Sequence, residues 1–140
     1  MTGVDINPGF VDLVNRRAAH SGWPIRAERG TFESIPGTDL FDAAMYYECL
    51  HHAVLPWVAL GAAFARLKPG GRVLLVGEPV NDRWKSWGVR LDNLSVYCIR
   101  KFGWFESGWS VPFITDCLVH AGFAIEHCGD EGGTIGWIIV

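Results

Sequence analysis

Short apolar runs alternate along the chain with segments whose apolar residues repeat at helical spacing. This alternation is typical of βαβ units and of a parallel sheet. The apolar runs predict strands at 3–6, 25–28, 41–47, 72–78, 123–128 and 134–140, and the helical spacing predicts helices at 10–20, 56–67 and 111–120. The last two strands, joined by a turn at 130–133, are expected to pair antiparallel. We therefore predict an α/β fold whose sheet is mostly parallel.

The stretch 79–110 departs from this pattern, and we predict that it is an irregular insert. It is rich in aromatic residues: Trp84, Trp87, Tyr97, Phe102, Trp104, Phe105 and Trp109. Flat aromatic faces beside basic side chains can cap a site and hold a sugar ring or a planar substrate. The same rings can instead close a core, and we favour that interpretation for most of them. Both interpretations stay open at this point.

Composition narrows the class of protein. The chain has 140 residues, of which 49% are hydrophobic and 19% charged, so it suits one folded domain and not a disordered segment. A net charge of -3 gives no general reason to expect nucleic-acid binding. The four cysteines form no CxxC pair and are interpreted as reduced core thiols. With no secretory leader and no apolar run of about 20 residues, we expect a cytoplasmic protein without stable membrane insertion.

Three segments carry specific chemistry. In the first, Asp5 follows a short buried strand, where a carboxylate can accept hydrogen bonds from two adjacent hydroxyl groups. An aspartate that only starts a turn explains this position equally well. The second segment runs from the strand at 41–47 into Glu48-Cys49-Leu50-His51-His52, and the third is a Lys-Pro-Gly-Gly turn at 68–71 before a hydrophobic strand.

Together the three segments resemble class I S-adenosylmethionine-dependent methyltransferases, and the resemblance covers nearly the whole chain. It implies a Rossmann-like fold and S-adenosylmethionine as cofactor. It also implies that Asp5 binds the ribose hydroxyls, and that Thr31 and the backbone at Phe32 lie at the adenine edge. Thr31 stands where the family often has an acidic residue, so adenine recognition is expected to be weaker. The remaining implied cofactor-binding residues are Ile6, Tyr46 and Tyr47.

The loop after the strand at 41–47 lies beside the reactive methyl group in that family. The resemblance therefore makes His52, His51 and Glu48 the candidate catalytic residues. Histidine has the most suitable ordinary pKa for a general base. A structural role for His52 at the helix entrance, or an orienting role for Glu48, remains open. We expect no metal, because no further ligand cluster stands near the two histidines in the sequence.

One family feature is absent from these 140 residues: the first strand with its glycine-rich turn. We therefore interpret 1–140 as a single, N-terminally truncated partial methyltransferase domain with a substrate-cap insert at 79–110. The missing strand would lie at the sheet centre, so its neighbours are expected to pair directly, to recruit a partner or to belong to a longer protein. We expect cofactor binding to be impaired.

These observations favour an enzyme that methylates a small-molecule or glycan acceptor, most simply at oxygen. The alternative is a catalytically inactive remnant that binds a partner or a second copy through its open sheet edge. A dehydrogenase would also use Asp5 for a ribose, but the Lys-Pro-Gly-Gly turn and the histidines argue against it.

Overall fold

The predicted order of helices and strands is confirmed in a computed structural model, which describes residues 1–81, 84–130 and 136–139. The elements are β1 (Thr2–Asp5), α1 (Pro8–Ser21), β2 (Arg26–Arg29), β3 (Phe41–Tyr47), a 3-10 turn (Leu50–His52), α2 (Pro56–Phe64), β4 (Leu67–Glu78), β5 (Trp87–Val89), α3 (Asn93–Phe102), β6 (Ser107–Trp109), α4 (Val111–Ala121), β7 (His127–Asp130) and β8 (Gly136–Ile139).

The described strands form three sheets, one of which is the β5–β6 pair of the insert. β1 and β2 pair in parallel, and a separate sheet has the order β3-β4-β8-β7. β3 and β4 are parallel, whereas β8 is antiparallel to both β4 and β7. The antiparallel C-terminal pair is thus confirmed. Among the described residues β1 pairs only with β2, and β3 pairs only with β4. The strands on either side of the missing strand were expected to pair directly, to recruit a partner or to belong to a longer protein, and the first of these arrangements is not formed.

Local sequence signals explain the position of α1. The side chain of Asn7 accepts a hydrogen bond from the Gly9 amide, and Pro8 stands at the first helical position. Gly22 ends the helix in a left-handed conformation with φ of 66°. Asn15 then docks the helix on β2, because its side chain exchanges two hydrogen bonds with the backbone of Ala27.

The Lys-Pro-Gly-Gly segment at 68–71 was predicted to separate the helix from the following strand, but it lies within β4. The helix ends earlier than expected, at Phe64, because Leu67 already pairs with Phe41 at the start of β3. Pairing then resumes between Ala43 and Arg72, which leaves the turn as an irregularity within the ladder. β4 therefore begins before the turn and not after it.

The prediction for the fifth apolar run, 123–128, is only partly correct. β7 covers His127–Asp130, whereas the preceding apolar residues pack as a loop. Phe123 is 7% exposed, and its ring packs edge-on against that of Phe64 with a centroid distance of 5.0 Å. Its side chain therefore belongs to the core, although the residue is not part of a strand. The predicted turn at 131–133 and the predicted strand residues 134, 135 and 140 lie outside the described residues.

The insert is more regular than predicted, since it contains β5, α3 and β6. β5 and β6 pair antiparallel. Trp109 is fully buried and joins the core, but the core interpretation is wrong for the four rings that are more than one-third exposed: Trp87, Tyr97, Phe102 and Trp104.

Candidate active site

The loop after β3 is held by one buried carboxylate at the end of β4. Glu78 is fully buried, and its Oε1 accepts hydrogen bonds from the backbone amides of Cys49 and Leu50, both at 2.9 Å. Its Oε2 accepts from the amide of His51 at 3.1 Å and from the His51 ring at 2.8 Å. Bonds to a charged acceptor are stronger than neutral ones, so this group fixes the path of the loop.

The loop begins with an unusual backbone conformation at Glu48, a non-glycine residue with φ of 47°. Its amide donates to the carbonyl of Val76, and its side chain lies against Gly77. A Cβ at Gly77 would lie 2.5 Å from the Cγ of Glu48, so only glycine fits there. The side chain of Glu48 is exposed at the ends of β3 and β4.

His51 lies between two buried carboxylates. Both oxygens of Glu78 accept hydrogen bonds from backbone amides, so we assign Glu78 as the acceptor and Nδ1 of His51 as the donor of their 2.8 Å hydrogen bond. The Nε2 of the same ring lies 3.7 Å from Oε2 of Glu106, which stands between α3 and β6. The side chains of His51 and Glu106 are 9% and 7% exposed. His51 therefore links the loop to the insert.

His52 is held by the insert and remains open to solvent. Its Nδ1 donates to the carbonyl of Phe105 at 2.8 Å, and its ring lies 5.4 Å from that of Trp104. The side chain is 28% exposed. Because Nδ1 carries the proton, Nε2 keeps a lone pair that can accept one from a substrate. Ser107 adds a second link by donating its hydroxyl to the His51 carbonyl.

The residues expected at the ribose and adenine lie at the carboxyl ends of β1 and β2. Asp5 is half-buried, and its Oδ1 accepts a hydrogen bond from the Asn7 amide at 2.7 Å. Thr31 is exposed, and its hydroxyl accepts from the Ser34 amide within a turn. Phe32 is half-buried and packs against the core.

The other three predicted cofactor-binding residues differ widely in exposure. Tyr46 is buried, and its hydroxyl donates to the Ala59 carbonyl, so its side chain belongs to the core. Burial raises the pKa of its phenol, with smaller contributions from nearby acidic groups. Tyr47 is 61% exposed on the open edge of β3, and Ile6 is 67% exposed beyond β1.

Charges near the carboxyl ends of the strands also affect Cys49, in the loop after β3 that contains His51 and His52 (the histidine loop). Burial, with smaller contributions from the charges of Glu78 and Asp5, raises the pKa of the Cys49 thiol to about 12. Asp5, Cys49 and the ring pair Phe32–Tyr46, whose centroids are 5.9 Å apart, all lie at the carboxyl-end edge of the two sheets.

Two functional candidates were missed from the sequence, Glu78 and Glu106. A charged residue that ends a strongly apolar strand was a usable signal for Glu78, because burial of a carboxylate requires several partners. Glu106 is far from the histidines along the chain, and no local pattern indicates that β6 brings it beside them.

A shallow depression of about 370 Å³ lies at the opposite end of the strands. Met1, Arg26 and Phe41, each at or near the start of a strand, contribute to its lining. Ligands of open α/β sheets bind at the carboxyl ends, so we assign no role to this depression.

Residues 1–75 match the family described as a methyltransferase domain. This segment is more than half of the chain, so the protein belongs to the methyltransferase domain family, as its resemblance predicted. A curated relative, the ubiquinone biosynthesis O-methyltransferase of Paramagnetospirillum magneticum, is 28% identical over 108 residues. The match covers 77% of this chain but only 41% of the relative.

Solved structures confirm the Rossmann-like fold. An S-adenosylmethionine-dependent methyltransferase from Mesorhizobium loti superposes with a TM-score of 0.73 at 18% identity, covering 99% of this chain and 78% of the other. The [4+2]-cyclase SpnF superposes with a TM-score of 0.71 at 20% identity, and the match covers 95% of this chain and 45% of the SpnF chain. Since one neighbour is named a cyclase, the fold alone does not fix the reaction.

Across the part of the chain that the structure describes, every helix is too short or too polar to cross a bilayer.

Thiol reactivity tests the packing around Cys49, in the loop after β3, and around Cys117 in α4. The pKa of Cys49 is raised to about 12 and that of Cys117 to about 11, chiefly by burial in both cases. Because the thiolate is the reactive form, we expect slow alkylation of both by iodoacetamide at pH 8, measured peptide by peptide with mass spectrometry. The same residues in urea serve as the control and should react at least tenfold faster. Equal rates with and without urea would contradict the described burial.

Proposed function

We propose that the domain transfers a methyl group from S-adenosylmethionine to a hydroxyl group of a small-molecule or glycan acceptor. The observation that carries this proposal is the arrangement of His52. Its proton-bearing nitrogen is fixed by Phe105, and its other nitrogen keeps a lone pair at a partly exposed position. Such a histidine is suited to remove a hydroxyl proton.

The donor and acceptor groups at the ends of β1 and β2 fit S-adenosylmethionine. One oxygen of Asp5 is engaged by Asn7, and no other described residue is hydrogen-bonded to the second, which remains available to a ribose hydroxyl. The half-buried ring of Phe32 offers an apolar surface for a base. The predicted contacts of Ile6, Thr31, Tyr46 and Tyr47 remain part of this proposal. The cofactor would supply a methyl group that is already electrophilic on a sulfonium.

Cofactor affinity is expected to be weak in the 140-residue chain. Its sequence contains no strand followed by a glycine-rich turn that opens a helix. β1 and β3 also belong to separate sheets, and among the described residues no strand pairs with both of them. The proposed site therefore binds the ribose from one side only.

His52 would act as the general base, while His51 and Glu48 support the loop. The acceptor proton would move to Nε2 of His52, since Nδ1 already carries a proton that the Phe105 carbonyl holds. Glu48 is exposed at the start of the same loop and would orient the acceptor through its carboxylate. His51 stays bonded to Glu78 throughout.

The insert at 79–110 would act as the cap over the acceptor within a single domain of residues 1–140. The rings of Phe102 and Trp104 stack at 4.7 Å, and Trp104 lies next to His52. About half of each ring is exposed, so a planar or sugar acceptor could pack against them. The relative named an O-methyltransferase is consistent with oxygen as the acceptor atom.

Replacing Asp5 tests the cofactor site. We expect Asp5→Asn to weaken S-adenosylmethionine binding at least tenfold in titration calorimetry, because the amide offers only one acceptor oxygen and loses the charge. Asp12→Asn is the matched control, since Asp12 is an exposed aspartate of α1 and should leave binding unchanged. Equal affinity in both variants would show that the ribose is not held by Asp5.

Replacing His52 tests the base. His52→Gln should lower kcat by about 10²–10⁴-fold, the usual contribution of a general base, with little change in KM. Transfer of radiolabelled methyl groups to catechol, a small aromatic diol, provides the assay. His120→Gln is the control, because His120 is exposed at the end of α4. A His52→Gln variant with unchanged kcat would leave His52 as a structural residue only.

A second candidate function, a remnant that binds a second copy of the chain, is supported by the open edge of β3. Met45 and Tyr47 are 64% and 61% exposed there, and Val4 is 38% exposed on β1. Unpaired strand edges with exposed apolar side chains favour association.

This alternative predicts dimers or larger assemblies in light scattering that fail to bind S-adenosylmethionine. Tyr47→Lys should return them to monomers, whereas Tyr97→Lys, at a similarly exposed position on α3, should not. A wild-type monomer at micromolar concentration would exclude self-association as the function.

A further inference from the structure

Three side chains from distant parts of the chain form a cluster with metal-ligand chemistry. His51 and His52 belong to the loop after β3, and Glu106 precedes β6. Each offers one ligand atom, and these atoms all lie within 4.8 Å of one another. No metal was expected from the sequence, because adjacent histidines rarely converge on one ion and no further ligand cluster lies near them, but the fold brings Glu106 beside both rings.

The distances from the Glu106 carboxylate to the two histidine rings fit a shared metal ion. Nε2 of His51 lies 3.7 Å from Oε2 of Glu106, and Nδ1 of His52 lies 3.7 Å from Oε1 of the same carboxylate. Two ligands at the usual Zn–N and Zn–O distances with tetrahedral angles are about 3.4 Å apart. Contacts of 3.7 Å are too long for ordinary hydrogen bonds, so neither histidine is hydrogen-bonded to Glu106 at these atoms.

The protonation pattern leaves ligand lone pairs directed into the cluster. Glu78 engages the proton on Nδ1 of His51, so in the neutral ring Nε2 presents a lone pair toward the Glu106 carboxylate. Two electron-rich atoms at this separation repel each other unless a positive charge lies between them. Arg90 lies 3.9 Å from Glu106 and compensates the carboxylate only from one side.

Glu78 supplies the outer hydrogen bond that usually orients a metal-binding histidine. A metal-binding histidine usually donates its other ring proton to a carboxylate or carbonyl, which fixes the orientation of the ring. Glu78 does this for His51, and it is itself held by three backbone amides. His51 is therefore oriented before any cation arrives.

We propose that His51, His52 and Glu106 bind one divalent cation of the Zn²⁺ or Co²⁺ type. Two nitrogen ligands and one carboxylate favour these ions over Mg²⁺, which prefers oxygen ligands. Three protein ligands leave a fourth position open, on the partly exposed side of His52.

Binding would alter the proposed base, and this consequence rests on the proposed function. If His52 binds through Nε2, its lone pair is used by the cation. If it binds through Nδ1, the bond to Phe105 is released and the ring proton moves to Nε2. In both cases His52 has no lone pair left for an acceptor, so the cation and general-base catalysis exclude each other.

The test is a titration of the full 140-residue chain with Co²⁺, followed by visible absorption and by calorimetry. We expect one ion per chain and the absorption of low-coordinate Co²⁺. Glu106→Gln should weaken binding at least tenfold, because it removes the only charged ligand. His120→Gln, which changes an exposed histidine elsewhere, should bind as tightly as the wild type.

His52→Gln is a second variant in case Glu106→Gln fails to fold, because His52 is the most exposed of the three. It too should lose Co²⁺ affinity. Absence of visible absorption, or equal affinity in wild type and both site variants, would overturn the proposal. S-adenosylmethionine binding is measured separately on the metal-free chain, so failure of the metal site and failure of the methyltransferase proposal give different results.

Discussion

The buried carboxylate of Glu78 is the constraint on which the candidate site depends. A carboxylate without exposure to water is costly unless its oxygens are fully engaged, and Glu78 meets this requirement with three backbone amides and the ring of His51. The same four bonds force the chain after β3 to turn sharply over the end of β4. The direction of the His51 ring is therefore set by a residue that is distant in sequence, whereas the His52 ring is held by the Phe105 carbonyl.

The insert completes the site from the other side. The carbonyl of Phe105, the carboxylate of Glu106 and the hydroxyl of Ser107 are consecutive, and each meets the histidine loop. The short ladder between β5 and β6 holds this triplet in place. Residues 105–107 of the insert thus supply a carboxylate and two hydrogen bonds around His51 and His52. The proposed cap therefore has a structural role as well as a binding role.

Features with local causes were predicted from the sequence, and features with distant causes were not. Asn7 and Gly22 mark the two ends of α1, because each cap depends on adjacent residues. The Lys-Pro-Gly-Gly segment lies within β4 and not before it, because Leu67 pairs with the distant Phe41. The helix α3 was overlooked although Asp92 and Gly103 cap it, since its exposed aromatic residues obscure the periodicity. Glu78 and Glu106 acquire their roles only through the packing of β4 and β6, which no local pattern encodes.

Amide hydrogen exchange tests the role of Glu78 most directly. In the wild type, the amides of Cys49, Leu50 and His51 should be protected by the carboxylate. In Glu78→Leu, which has a similar volume but no acceptor, these three should exchange at least tenfold faster, while the amide of Val73 in the centre of β4 reports on global stability and should change much less. Unchanged protection at all three positions would contradict the account.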